Sequence, residues 1–477
     1  MILESSALDL HRRWTRRPLA VFDRRRTRLG CLLTLTLIGL VGGPDIVSAS
    51  PQDAEAAVSE AADEQAAALG KLLLRTVEPL PRTEVASEDG FFKAEVPAKP
   101  ARPMAVKDGV YVLGLDFGAG ADQGAECHVH RNHLDPASSL LRNSDLVFKL
   151  LAETYGEISL KTLYGVDAGG IGAVPYLGVD WLYRTTGRGE SPGVAGQAKH
   201  LIASKGGRTI YCQSTALGYD DAFFNLFKVL VATVTYATSV EGTADEQPFY
   251  EELTLVSVGE QVLGVEKVSL RLDAAGRLEE RESRSLLVPV DGASLQAQDA
   301  VTIETGDRAG ALISKVAVQV VNGEVTTQLR LSRERGETWK VGGVYQGLEI
   351  VKELDAVPLR SRFGRRADFR DFLRGAEAGA SFAPLGWEPD LDPTLWTKTR
   401  RTLVGVDEGD PALRVFRVEV GGAESRAKID GNLSAVETAT SMGVVGLVER
   451  RVFVAGDPTA PPSADKPSAD KPSADKP

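Results

Sequence analysis

Val316-Ala317-Val318-Gln319-Val320-Val321-Asn322-Gly323-Glu324-Val325-Thr326-Thr327-Gln328-Leu329-Arg330-Leu331 is the stretch on which the reading of the fold turns. Two runs of strand-forming residues meet across Asn322-Gly323, and both central residues accept the positive φ that a two-residue hairpin loop requires. The same rhythm extends outward. Lys267 to Asp273 alternates and then turns at Ala274-Ala275-Gly276, and Leu286 to Val290 ends at Asp291-Gly292. Val404 to Val406, Leu413 to Val420, Ala427 to Asp430 and Val444 to Val454 resume the strand pattern, leaving Arg365 to Arg374 as the one helical stretch. Residues 248–456 are therefore expected to form one antiparallel β-rich domain.

Before a polar hinge at Glu241 to Gln247 the pattern is mixed. Phe91 to Val96, Val110 to Phe117, Ala125 to His130, Val174 to Tyr183 and Arg208 to Gln213 read as strands. Pro136 to Tyr155 carries Leu140, Leu141, Val147, Leu150 and Leu151 at helical spacing, and an apolar helix follows from Asp221 to about Thr233. The Asp220-Asp221 pair is expected to accept hydrogen bonds from that helix's first turn. Residues 86–240 thus predict an α/β domain, and the whole chain an α+β fold with flexible ends.

Two resemblances run alongside this reading. Asp89-Gly90-Phe91-Phe92-Lys93-Ala94-Glu95-Val96-Pro97, with Arg208-Thr209-Ile210-Tyr211-Cys212 and Phe223-Phe224-Asn225-Leu226-Phe227, resembles the opening and ending of PsbP-like α/β sandwich domains. Tyr250 to Gly456, most closely over Trp387 to Phe453, is similar in strand rhythm to the open β-barrel of lipoprotein carriers such as LolA. These resemblances imply fold and role, mostly that of non-enzymatic binding or accessory proteins. They carry over no site residue.

The termini read differently. Arg24, Arg25, Arg26 and Arg28 precede a 13-residue apolar run, Leu29 to Val41, and Val47-Ser48-Ala49 supplies the small residues of a cleavage site. Residues 1–49 are thus expected to be a signal peptide, cleaved after Ala49, with an apolar run well short of the roughly 20 residues that span a bilayer. Retention as an anchor is the alternative. Residues 50–85 form an Ala/Glu-rich helical leader and linker, and 457–477 a tail of Pro-Ser-Ala-Asp-Lys units too polar to fold. Loss of the leader would change the formal charge from −11 to −15. So acidic a chain repels phosphate backbones, which argues against nucleic acid as a partner.

Of three cysteines, Cys31 lies in the leader, so Cys127 and Cys212 are the thiols of the exported chain. A bridge between them is expected, closing a loop of about 85 positions worth roughly 4 kcal/mol by chain entropy. Two separately buried thiols are the alternative. His128, His130 and His133 are candidate metal ligands, and the string from His128 to His133 resembles the His-x-His-x-Asp-His motif of metallo-β-lactamase-type hydrolases. Asn132 stands where the motif's Asp should be, and no histidine follows His200. A strand face running into a polar turn is therefore favoured, with no metal and no cofactor. Asp116 to Asp122 reads as a turn rather than a calcium loop, and Arg360, Arg362, Arg365, Arg366 and Arg370 as a solvated helix face. Trp387 and Trp396 would either rim an apolar cavity or belong to a core.

The expectation is an exported non-enzymatic binding or accessory protein, holding an apolar ligand or an envelope protein's segment in an open barrel. A zinc-dependent hydrolase and a purely structural envelope accessory are the alternatives.

Overall fold

The computed structural model describes residues 75–118, 124–189, 191–237, 248–273, 275–290, 294–333, 338–442 and 445–459. The stretch expected to be a signal peptide, most of the 50–85 leader, the 241–247 hinge and the repeat tail lie outside the described residues.

More than half of the described residues lie in antiparallel β-sheet. The first sheet is built on β1 (Val110–Asp116), β2 (Ala125–His130), β3 (Ile158–Ile171), β4 (Val174–Thr185), β5 (Ala195–Lys205) and β6 (Arg208–Ser214), in spatial order β1-β2-β6-β5-β4-β3. Two helices flank it. Helix α2 (Asp220–Thr233) buries Phe223, Leu226, Phe227, Leu230 and Val231 against one face, together with Leu113, Leu115, Val129 and Ile210. Each such side chain removed from water is worth about 1.5–3 kcal/mol. Helix α1 (Pro136–Tyr155) covers the other face through Leu140, Val147 and Phe148, which meet Trp181, Val179 and Ile202. The Trp181 indole N–H donates to Ser144 Oγ at 3.1 Å, so the largest ring under α1 has its polar atom satisfied.

The second sheet is a meander of β7 (Tyr250–Val258), β8 (Gln261–Leu272), β9 (Leu278–Pro289), β10 (Leu295–Gly306), β11 (Leu312–Val321), β12 (Glu324–Arg333), β13 (Trp339–Tyr345) and β14 (Leu348–Leu354). It continues with β15 (Arg400–Val406), β16 (Arg414–Val420), β17 (Ala423–Ile429), β18 (Ala435–Met442) and β19 (Val445–Gly456). With a short strand at Ser381–Phe382 it counts 14 strands, and β19 lies in the middle, between β7 and β18. The expected hairpin is present. Asn322 and Gly323 take φ of 51° and 85° at the β11–β12 turn.

Strand alternation divides this sheet's faces. Leu287 and Ala297 join the core under α1, so one face packs on the first unit. The other face is concave and holds the segment 355–399, which connects β14 to β15 and carries helix α3 (Arg362–Leu373). Leu359 and Trp387 from this segment pack on Leu329, Leu331, Trp339 and Val341 of β12 and β13. Phe369 packs on Leu403, Phe416 and Ile429. The sheet is thus an open barrel filled by its own connection.

Two local expectations are corrected. Helix α2 is preceded by Tyr219, with no side-chain cap, because the Asp220 carboxylate is taken by Lys199 at 2.7 Å. Helix α3 begins three residues earlier than its sequence pattern suggested, where Ser361 Oγ accepts from Gly364 N and fixes the start.

Candidate functional site

Cys127 and Cys212 sit directly opposite each other on β2 and β6 and are joined by a disulfide. Both side chains point into the α2 side of the first sheet, where neither is exposed. The intervening residues of the same strands point the other way. Glu126, His128 and His130 line up at every second position of β2 and stand half-buried.

A hydrogen-bond chain crosses this face. His200 Nδ1 lies 2.5 Å from the Tyr211 hydroxyl, which donates to Gln213 Oε1 at 2.9 Å. The Gln213 amide donates to Glu126 Oε1 at 3.3 Å, and His128 Nε2 lies 2.7 Å from the same oxygen. Arg102 pairs with the other carboxylate oxygen. With Tyr211 donating onward, His200 must donate through Nδ1, and every proton in the chain points toward Glu126. Glu126 is accordingly held below the usual carboxylate range, first by its hydrogen bond to His128 and then by the charges of His128 and Arg102. Burial pushes His200 down to about 3, with Lys161 adding to the shift. Burial likewise takes His130 to about 4, followed by the neighbouring charges of His128 and Arg142. Both imidazoles are neutral at pH 7.

The three candidate ligands are not brought together as a set. His128 and His130 share a strand face with ring centroids 6.1 Å apart. His133 lies past the strand end, where burial, Arg281, Asp299 and Lys267 set its electrostatics. Among the described residues no group of three His, Cys, Asp or Glu side chains could hold a metal ion. His128 pairs instead with the carboxylate on its own strand. At the Asp116 turn, the described part shows the Asp116 carboxylate accepting from Gly118 N at 2.7 Å, a closed turn.

The second concentration of chemistry was missed by sequence reasoning. Glu280, Glu282 and Arg284 on β9, Glu266 on β8, Glu304 on β10 and Lys315 on β11 occupy the concave face. Helix α3 points Arg362, Arg365 and Arg366 into it. Arg366 reaches Glu280 at 3.0 Å, Arg365 reaches Glu304 at 3.2 Å and Arg362 pairs with Glu282. Lys315, only 3% exposed, lies 3.2 Å from Glu304 and donates to the Trp387 carbonyl at 2.9 Å. Arg284 bridges Glu266 and Glu449. Burial raises Glu304, but Arg365, Lys315 and Arg362 outweigh it and hold that carboxylate well below its ordinary value. For Glu266 burial wins over Arg284, aided by Glu282 and Glu449, and lifts it to about 7.

These contacts revise two expectations. Arg362, Arg365 and Arg366 are not a solvated face but the means by which the helix is seated, whereas Arg370 of the same helix is exposed. The concave face is not a vacant apolar surface either. Its apolar parts, at Trp339 and at Phe416, are covered by Trp387 and Phe369, and its middle is ionic. Trp387 is 1% exposed, and its indole N–H donates to Pro393 O at 2.9 Å; Trp396 meets Trp339 edge to face at 6.4 Å. Both tryptophans therefore belong to the filling of the barrel and not to a cavity rim.

No family model matches the chain, and no curated protein matches it. Solved structures match in part. The chain is similar to a β-barrel-like protein of a domain of unknown function, DUF1849, from Brucella abortus, at 11% identity and a TM-score of 0.35, over 44% of this chain and 98% of that one. It is also similar to the cyanobacterial PsbP (CyanoP) of Synechocystis sp. PCC 6803, at 11% identity and a TM-score of 0.23, over 34% of this chain and 96% of that one. These are a barrel-like and a PsbP structure, the two kinds the sequence resembled.

Proposed function

We propose that the chain is an exported, non-enzymatic binding or accessory protein of the cell envelope that holds a segment of a partner protein on its open β-sheet. Its units on this reading are a PsbP-like α/β domain over 86–240 and an open-barrel domain over 248–456, behind a signal peptide cleaved after Ala49. The observation that carries the proposal is the open 14-stranded sheet, whose end strands stay unjoined while its concavity already grips a peptide segment by Arg362, Arg365 and Arg366. A surface that seats one helical segment through side-chain ion pairs, and keeps two strand edges open, is suited to protein ligands more than to an apolar small molecule. The Cys127–Cys212 bridge suits an oxidising compartment.

The test is affinity capture from envelope extracts with the full exported chain, after mass spectrometry of its N-terminus. Expected are Ser50 as first residue and specific capture of an envelope protein. A chain that keeps Leu29 to Val41, or one that captures nothing and instead carries stoichiometric zinc lost on changing His128 and His130 to Ala, overturns the reading.

A further inference from the structure

The last strand before the barrel's filling, β14, ends the large sheet. It pairs only with β13, and on its other side its backbone faces no strand among the described residues. The turn into it fixes which groups are left over. Gln346 and Gly347 both have positive φ, 50° and 78°, making a two-residue loop closed by Tyr345 and Leu348. Such a loop begins with a hydrogen-bonded pair, and pairs then alternate along the ladder. Leu348, Ile350, Lys352 and Leu354 therefore spend their N–H and C=O groups on β13. Glu349, Val351 and Glu353 turn theirs outward.

The side chains of those three residues share the sheet's outer face. Val351 is 67% exposed. Its cross-strand neighbour is Gly342, so no side chain of β13 covers Val351 on this face. Glu349 and Glu353 stand two positions to either side and form no ion pair among the described residues. Glu349 faces Val344 across the ladder, and Glu353 faces Lys340. The edge thus presents three outward N–H and C=O pairs, one apolar centre and two flanking carboxylates. Natural edges are commonly blunted by an inward charge, a bulge or a proline. Lys352 places one charge on the inner face, but no bulge interrupts the β13–β14 register, and Leu348–Leu354 contains no proline.

We infer that the β14 edge is a strand-addition site for an extended peptide carrying an aliphatic residue flanked at two positions on either side by Lys or Arg. Backbone hydrogen bonds at Glu349, Val351 and Glu353 would supply the docking, Val351 would pack on the aliphatic side chain, and the carboxylates would select the cations. The inference rests on the partner-segment reading and names where and what that segment is.

The probe is a fluorescent peptide of the strand's own 7-residue length, with valine at its centre, arginine two positions to either side and threonine elsewhere, titrated into the full exported chain by anisotropy. Saturable binding is expected. Val351→Pro removes the outward N–H without touching the ladder to β13, so it should weaken binding at least about tenfold while the melting temperature holds. The double change Glu349→Lys with Glu353→Lys should do the same for this peptide and should create binding of the version with glutamate in place of arginine. No binding to the unaltered chain, or binding that Val351→Pro leaves unchanged, overturns the proposal. Self-association that Val351→Pro abolishes and the peptide cannot compete with would assign the edge to a second copy instead. Capture of a partner that survives Val351→Pro would leave the broader reading standing while removing this site.

Discussion

Asp299 caps helix α1 from another sheet: its carboxylate accepts from Ser138 N at 2.9 Å and from Ser138 Oγ at 2.6 Å, with Ala137 N at 3.2 Å on the other oxygen. The helix's own flanking residue, Asp135, makes no side-chain cap. The junction between the two units therefore includes a charge-assisted helix cap, 4% exposed, donated from β10.

Replacing Asp299 by Ala strips the first turn of α1 of its acceptor and should cost about 1–2 kcal/mol, the upper part of the range for cap removal. Urea unfolding followed by tryptophan fluorescence reads this, since Trp181 lies under α1. An unchanged midpoint would show that water replaces the carboxylate without loss.

Free-thiol titration of the denatured, unreduced protein should find none at Cys127 and Cys212. Reduction should lower stability by roughly 4 kcal/mol, the chain-entropy figure for a loop of this size. Two reactive thiols in freshly purified, unreduced protein would count against the bridge.

Glu304 and Lys315 form a pair that is 3% exposed on both sides. Glu304→Ala leaves Lys315 buried beside an unpaired Arg365 and should destabilise by about 3–5 kcal/mol. Glu304→Leu combined with Lys315→Met and Arg365→Met should recover most of that, because apolar isosteres require no counter-charge. If the triple variant is as unstable as the single, the seating of α3 depends on the ions themselves.

His200 is 1% exposed and its folded pKa lies near 3, below the ordinary 6.5. The unfolded chain binds the proton first, so stability is full above about pH 6.5 and falls as the pH drops toward 3. By linkage the loss from this group alone is about 2 kcal/mol at pH 5. His200→Phe should flatten the stability profile between pH 6.5 and 4.5. A slope identical to that of the unaltered protein would mean that His200 is not neutral in the fold.

β19 is a central strand, hydrogen-bonded on both sides. A chain ending before Gly443 should therefore be insoluble or lack near-ultraviolet dichroism, because β7 and β18 would both be left as bare edges. A well-ordered product would refute the assignment.

What the sequence made legible was periodic. Helix α1 matches its apolar spacing from Pro136 to Tyr155, and the β11–β12 hairpin follows from Asn322-Gly323. The concave face was not legible, for a physical reason. Glu280, Glu282 and Arg284 alternate along β9 as a solvated face would, and Arg362, Arg365 and Arg366 repeat as on a solvated helix. Each set is hidden by the other, and Arg366 lies 86 positions from Glu280. Hydropathy scores a charge by itself, whereas burial depends on a counter-charge the chain supplies much later. Asp299 escaped notice in the same way, since its partner helix lies more than 150 positions upstream.

The pairing of Tyr250 with Gly456 has a kinetic side. It joins the first strand of the large sheet to its last, a closure over on the order of 200 residues, and contacts so distant slow folding steeply. Until β19 has been made, β7 lacks one neighbour, and the sheet cannot complete its order. The adjacency also makes the second unit a candidate for circular permutation, with Tyr250 and Gly456 joined by a short linker and new ends opened at a surface turn such as Asn322-Gly323.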